Sequence, residues 1–323
     1  MLPTLAEIEG AARIVYSVMP ATPQYCWPLL CQHLGAEVWI KHENHTPVGA
    51  FKLRGGLVYL ASLARSPAVR GVLSATRGNH GQSVGLAARR HGLAARIVVP
   101  YGNSVEKNAA MRALGVELIE HGDDFQAARE HATRLADELQ WHLVPSFHPL
   151  LVAGVATYAL ELLAAVPELA TVYVPIGLGS GICGMVAARD ALGLKTEVVG
   201  VVSAHAPAYA ASFAAGTLRE APVTTTLGDG MACRTPQPEA LEVIWKSVDR
   251  IVEVTDSEVA EAMRVIFTST HNVAEGAGAA AVAAALQEKA RLSGRRVAVV
   301  LSGGNVDRQL FAEVLDGRSF SAR

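Results

Sequence analysis

Cysteine is scarce and unpatterned: Cys26, Cys31, Cys183 and Cys233 form no Cys-x-x-Cys spacing, which argues against both a structural zinc site and a disulfide framework. Such a chain fits a reducing cytoplasm. Positive charge is modest, with 28 Lys and Arg against 30 Asp and Glu for a net charge of -2, and no basic run could track a phosphate backbone. Nucleic acid is therefore not an expected partner. No apolar run reaches membrane-spanning length, and the N-terminal Leu5-Ala6-Glu7-Ile8-Glu9 places acids where a secretory signal needs basic and then apolar residues. The run from Gly276 to Leu286 comes nearest, but it is alanine-rich and stops at Gln287-Glu288-Lys289, the pattern of a buried helix. Internal repeats, low-complexity tracts and long linkers are also missing.

What is there is core-forming material. With 323 residues and 50% hydrophobic content, the chain can bury one large or two modest cores. An opening helix over 4–19 is followed by the breaker Ala21-Thr22-Pro23 and a short helix before Gly35. Apolar runs rich in Val and Ile then recur at Val38–Ile40, Gly71–Ala75, Ala95–Pro100, Val116–Glu120, Trp141–Pro145, Thr171–Ile176, Thr196–Ser203, Arg250–Val254 and Val297–Leu301, with helical patterns between most of them. This alternation predicts an α/β protein with mostly parallel sheets covered by helices on both faces. Nine strands are many for one sheet, so two αβα domains are expected: a larger one from 1–45 and 150–323, and a smaller one over 46–149. The turns Asn44-His45-Thr46-Pro47 and Ser146-Phe147-His148-Pro149 bracket the smaller unit.

In open α/β sheets ligands bind beyond the carboxyl ends of strands, and four of the turns there are unusual. The first is Thr46-Pro47-Val48-Gly49-Ala50-Phe51-Lys52-Leu53-Arg54-Gly55-Gly56, which sets Lys52 among apolar neighbours at a helix start. Desolvation would depress its pKa, and a neutral amine condenses with carbonyls; the alternative is a solvated lysine whose stem covers apolar surface. The second, Ser74-Ala75-Thr76-Arg77-Gly78-Asn79-His80-Gly81-Gln82-Ser83, leads into a helix over Val84–Arg90 and suits a carboxylate, with Asn79 able to donate to a phenolic oxygen or to serve as a plain turn residue. The third runs from a strand into Gly177-Leu178-Gly179-Ser180-Gly181-Ile182-Cys183-Gly184, where small residues let backbone amides close on a phosphate.

That loop also spells a dinucleotide fingerprint at Gly179, Gly181 and Gly184, which raises a nicotinamide enzyme as a competitor. The fingerprint needs an acid ending the next strand, and Val198-Val199-Gly200-Val201-Val202-Ser203 offers none, so a monophosphate is the better guest. The fourth turn follows Val297–Leu301, where Ser302 stands to offer a hydroxyl to a ring nitrogen or to cap the final helix. An amine, a phosphate loop, an amide donor and a strand-end hydroxyl together describe a pocket for pyridoxal 5'-phosphate.

At these residues the chain resembles the fold-type II pyridoxal-phosphate enzymes, specifically the serine/threonine dehydratase and serine racemase family. The matching segments are Gly49 to Gly55, Gly78-Asn79-His80-Gly81-Gln82, Pro175 to Ser180, Asp229-Gly230 and Ser302-Gly303-Gly304-Asn305-Val306-Asp307, in the family's order. The resemblance implies that Lys52 forms the internal Schiff base, Phe51 packs beside the cofactor, Asn79 bonds its O3', Gly177, Leu178, Gly179, Ser180 and Gly181 cradle its phosphate and Ser302 meets its ring nitrogen. It likewise places Glu275 on the cofactor side, and Thr76, Arg77, Gly78, His80 and Asp229 around a small amino-acid substrate. The implied activity is a carbon–nitrogen lyase that dehydrates L-threonine, L-serine or a relative such as 3-hydroxyaspartate or phenylserine; a β-replacement enzyme of the cysteine synthase type is the same-fold alternative. A homodimer or larger homo-oligomer is implied too.

Departures from the family pattern sharpen this. Racemases of the family carry a serine where this chain has Arg77, and a guanidinium is a poor proton donor there, so elimination is expected over racemisation. Ser203-Ala204-His205-Ala206-Pro207-Ala208 lacks the acids that hold a divalent cation in metal-dependent relatives, so no metal is expected at that position. A regulatory domain beyond Arg323 is not expected either.

Overall fold

Val, Ile and Ala fill the extended segments, and such side chains suit strands covered on both faces. The computed structural model describes residues 2–320, and among these ten strands form two sheets. In chain order they are β1 (Gln24–Cys26), β2 (Glu37–His42), β3 (Gly71–Ala75), β4 (Ala94–Val99), β5 (Glu117–Glu120), β6 (His142–Leu143), β7 (Thr171–Pro175), β8 (Glu197–Ser203), β9 (Arg250–Val254) and β10 (Arg296–Leu301). The larger sheet has the order β1-β2-β10-β7-β8-β9 and the smaller β5-β4-β3-β6. Every pairing is parallel except that of β1 with β2. The fold is thus the α/β architecture with mostly parallel sheets that the alternation predicts, and all four strands of the smaller sheet fall between residues 71 and 143.

Three details differ from the expectations. Strand β1 was not anticipated, because three residues are too few to show a period. The expected strand at Trp141–Pro145 shrinks to His142–Leu143, which pairs only with β3 at the sheet's edge. The helix after β3 begins at Asn79 rather than Val84, so the Asn79–Ser83 segment forms its first turn.

Along the central strand β10, Val297, Val299 and Leu301 enter one hydrophobic core while Ala298 and Val300 enter another, the two-residue period of a strand buried on both faces. The alanine-rich segment is the buried helix Gly276–Gln287, as its composition suggests. No helix among the described residues is long and apolar enough to cross a membrane. The helices Lys52–Leu63 and Pro149–Ala165 join the two sheets, and their backbones touch where they cross. A Cβ on Gly154 would fall on the Arg54 carbonyl, and one on Gly55 would lie 2.8 Å from the Leu151 carbonyl oxygen.

Beneath that crossing lies a buried cluster of charge. The Arg54 side chain is fully buried; its Nε and Nη2 donate to Glu43 at 2.7 and 2.9 Å, and its Nη1 and Nη2 to Glu161 at 2.6 and 2.9 Å. Lys41 Nζ reaches Glu161 at 2.6 Å and the Thr22 carbonyl at 2.6 Å, and Thr22 Oγ1 donates to Glu43 at 2.5 Å. Two cations face two carboxylates, and the donors are matched by acceptors. Burial pulls the Lys41 pKa down, against the opposing pull of Glu161 and Glu43. Removing one member leaves an uncompensated buried charge. Arg54→Met is expected to cost about 3–5 kcal/mol, seen as a fall in the urea midpoint of unfolding; a midpoint unchanged from the parent would refute this role for the cluster.

Candidate functional site

The carboxyl ends of β2, β3, β7 and β10 open toward one another, and the four unusual turns meet there. Thr46 closes the first of them, accepting from the Ala50 N–H at 2.9 Å and donating to the Ala50 carbonyl at 2.8 Å. Gly49 has φ +67°, and a Cβ there would also run into Asn305. The segment is then sewn to the turn after β10: Phe51 N–H donates to Ser302 O at 3.0 Å, Gly304 N–H to Gly49 O at 2.9 Å, and Ala50 bridges Gly303. Lys52 therefore starts its helix at a position held by the turn after β10, the neighbour of β2 in the larger sheet.

Lys52 Nζ donates to Ser180 Oγ at 3.2 Å and lies 5.0 Å from the centre of the Phe51 ring. No carboxylate compensates its burial, which lowers its pKa to about 8. The amine thus has a sizeable neutral fraction near neutrality, as a nucleophile requires. Ser180 is buried at the first position of the helix Ser180–Ala191, and Gly179 before it has φ +96°. Gly177 leaves room for the carbonyl of Gly230, and a Cβ at Gly181 would sit 3.6 Å from the Phe51 ring. The Leu178 carbonyl accepts from the Tyr209 hydroxyl at 3.1 Å, which holds the loop from behind.

On the turn after β3, Thr76 is buried and its hydroxyl accepts from Gly78 N–H at 3.0 Å. His80 is also buried, with its pKa pressed down to about 3 by burial and by the nearby Lys52. Its Nε2, like Gln82 Nε2, is buried with no hydrogen-bond partner. Asn79 Nδ2 donates to Glu275 Oε1 at 2.5 Å. Arg77 and Asp229 stand half-exposed, 3.9 Å apart. The Ser302 hydroxyl is buried and donates only to the Ala277 carbonyl at 3.4 Å; Asp307, not Ser302, occupies the cap position of the final helix.

The expected residues are therefore assembled through Lys52–Ser180, Phe51–Ser302, Asn79–Glu275 and Arg77–Asp229. Two further residues belong to the assembly and were given no role from the sequence. Asn305 donates to Asn79 Oδ1 at 2.9 Å and to the Val48 carbonyl at 2.8 Å. Lys107 donates to Glu275 Oε2 at 3.0 Å. Asn305 lies inside a motif already singled out, whereas Ser104-Val105-Glu106-Lys107 reads as an ordinary solvated helix start.

A family model described as pyridoxal-phosphate dependent enzyme matches residues 19–303, most of the chain. The chain belongs to that family. Its similarity to members extends over almost its full length. It is 34% identical to an L-threonine ammonia-lyase of Thermotoga maritima over 97% of this chain and 78% of that protein. It is 30% identical to an L-threo-3-hydroxyaspartate ammonia-lyase of Saccharomyces cerevisiae over 98% of each. Among solved structures, the processed form of threonine deaminase isoform 2 from Solanum lycopersicum superposes with a TM-score of 0.89 at 27% identity, covering 98% of this chain and 94% of that one. Maize serine racemase superposes at 0.90 and 26%, covering 98% of both. The fold-type II assignment and pyridoxal phosphate as cofactor follow from this membership.

The residues in place fit that cofactor. An aldehyde needs an amine that can lose its proton, and Lys52 is one. A phosphate needs unpaired N–H groups at a helix start, and the Gly179 cap position has no side-chain capping bond to occupy them. Two buried nitrogens on the Asn79–Arg90 helix have no partner, and the one on His80, which feels the charge of Lys52, marks polar capacity still unspent near that amine. Because only the neutral amine reacts, the rate of cofactor capture by the apoprotein should rise as pH climbs through about 8 and level off above it. Stopped-flow absorbance checks this, and a rate that kept rising tenfold per pH unit well past that value would contradict a depressed lysine.

Proposed function

We propose that this protein is an amino-acid ammonia-lyase that removes water from a β-hydroxy amino acid, the resulting enamine then taking up water to give a 2-oxo acid and ammonia. The observation that carries this reading is the desolvated Lys52 amine beside the Ser180 hydroxyl, in a chain whose relatives along nearly its whole length are named ammonia-lyases. Bound through its aldehyde, pyridoxal phosphate supplies an electron sink that makes the substrate Cα–H acidic. Lys52 Nζ would hold the cofactor through its aldehyde and, as a free neutral amine, would accept the proton from the substrate Cα. Ser180 Oγ, within hydrogen-bond reach of Nζ, orients that amine.

Backbone N–H groups of residues 177–181 would hold the phosphate, and the second Asn79 Nδ2 hydrogen would meet the phenolic oxygen. Ser302 would face the ring nitrogen with a neutral hydroxyl, which does not force protonation there and would suit elimination. The turn after β3, with Thr76, Gly78 and His80, would bind the substrate carboxylate through N–H groups at the start of the Asn79–Arg90 helix. Lys52→Ala is expected to abolish 2-oxo acid release from L-serine, L-threonine and threo-3-hydroxyaspartate alike, and to lose the lysine-bound visible absorbance. Release from the variant at parental rates would overturn the reading.

Arg77 favours a more specific substrate. Its guanidinium is half-exposed and only loosely engaged, 3.9 Å from Asp229, which leaves it free to meet a second carboxylate. A 3-hydroxyaspartate-type substrate provides one. Arg77→Ala should lower kcat/KM on threo-3-hydroxyaspartate roughly 10–100-fold, the worth of a charged hydrogen bond, with little change on L-threonine. An equal fall on every substrate would remove Arg77 from any part in choosing the β-substituent.

The same reading divides the chain into a larger domain of residues 1–45 with 150–323 and a smaller one of 46–149, in keeping with the two sheets. The four free thiols accord with action in the cytoplasm. Assembly as a homodimer or larger homo-oligomer is the family expectation.

A further inference from the structure

The N-terminal turn of the helix Val105–Ala113 packs across the gap between the sheets, far in sequence from every motif that suggested the site. It makes three contacts on the far side. Ser104 Oγ donates to Asp307 Oδ1 at 2.5 Å, Arg308 N–H donates to Glu106 Oε1 at 2.9 Å, and Lys107 Nζ donates to Glu275 Oε2 at 3.0 Å. The first two lie at the rim. The third is buried, with the Lys107 side chain 11% exposed and that of Glu275 7%. Room for it is provided by absent side chains: a Cβ on Gly78 would strike the Lys107 stem, and one on Gly303 would strike Glu275 Oε1.

From Lys107 a single chain of hydrogen bonds leads to the amide of Asn79. A carboxylate facing an ammonium has only acceptor atoms to offer, so Glu275 must be met by a donor, and Asn79 turns its nitrogen to it at 2.5 Å. On the other side Asn305 donates to Asn79 Oδ1 at 2.9 Å. The amide is thereby held in one of its two orientations, with one Nδ2 hydrogen left over. The charged groups around Lys107 are Glu275, Asp229 and Asp307 on the facing elements, with Arg77 beyond Asp229 and Glu106 on its own helix. Burial would lower the lysine's pKa, but these carboxylates, Glu275 foremost, raise it, so it remains a cation.

The geometry points to Lys107 as a positioning residue that, through Glu275, fixes Asn79 as a hydrogen-bond donor toward the phenolic oxygen of the cofactor. This rests on the placement of Asn79 against the cofactor given above. A donor at that oxygen stabilises the anion most where no neighbouring proton neutralises it, so it would lower the pH at which the lysine-bound chromophore loses its proton. Without the ammonium, Glu275 is a buried carboxylate with no counter-charge, and the Asn79 amide keeps only its Asn305 anchor.

The test is the pH titration of the visible absorbance of the cofactor-loaded protein for the parent, Lys107→Met, Lys107→Arg, Glu275→Gln and the Met/Gln double variant. Lys107→Met should move the midpoint to higher pH, Lys107→Arg should restore most of it, and the double variant should match Glu275→Gln alone, because Lys107 acts only through Glu275. An unchanged midpoint in Lys107→Met, or additive shifts in the double variant, would overturn the inference. A downward shift would overturn it as well, since loss of a donor at the phenolic oxygen raises the midpoint. If the parent itself shows no lysine-bound absorbance, the cofactor assignment to Lys52 fails together with this inference; if it does and the variants do not respond, only the role of Lys107 fails. Far-ultraviolet circular dichroism identifies a variant that has unfolded, and Lys107→Arg then carries the comparison with Glu275→Gln.

Discussion

The ion cluster of Arg54, Glu43, Glu161 and Lys41 is the constraint from which the rest of the site hangs. Arg54 stands two residues after Lys52, and its guanidinium engages acids from the turn after β2 and from the helix Pro149–Ala165. A planar five-donor group is suited to such a junction, because it can engage two carboxylates in fixed directions at once. A hydrophobic core alone would tolerate small rotations of a helix about its axis. A buried charge that loses its partners on rotation does not, so the register of the Lys52 helix is set more sharply than packing would set it.

Much of this was legible from the residues. The Val- and Ile-rich runs marked strands because buried parallel sheet demands continuous apolar surface, and the polar, glycine-broken turns after them stood out against that background. The missing acid after Val198–Ser203 correctly set aside the nicotinamide reading of the glycine loop. Lys52 was visible because a lone cation among Val48, Gly49, Ala50 and Phe51 has no ordinary reason to be there.

Other features could not be seen. Lys107 is one of several charges on a short amphipathic helix, and only its partner, 168 residues away, distinguishes it. Glu43, Arg54 and Glu161 look like surface charges for the same reason: burial of a charge is decided by contacts across the fold. The three-residue β1 carries too little pattern to register, and the early start of the helix at Asn79 follows from a turn of glycine and polar residues whose helical conformation is set by what packs on it. Gly154 is likewise uninformative in the sequence, and the motifs that contain Gly78, Gly177 and Gly303 do not say what approaches each glycine. Each is explained only by the atom that occupies the space of its missing Cβ.

The strand order of the larger sheet has a consequence for how the molecule comes into being. Its middle is built from the last strand to be made: β10 lies between β2 and β7, with Arg296 opposite Glu37, while the smaller sheet uses one contiguous stretch of chain. Contacts so distant in sequence are slow to form, because the loop-closure entropy must be met before they reward the chain. During synthesis the smaller sheet can therefore assemble while the larger waits with a gap at its centre. The strand that fills the gap also delivers Ser302 and Gly303 to the Lys52 segment, so completion of the fold and completion of the pocket are one event.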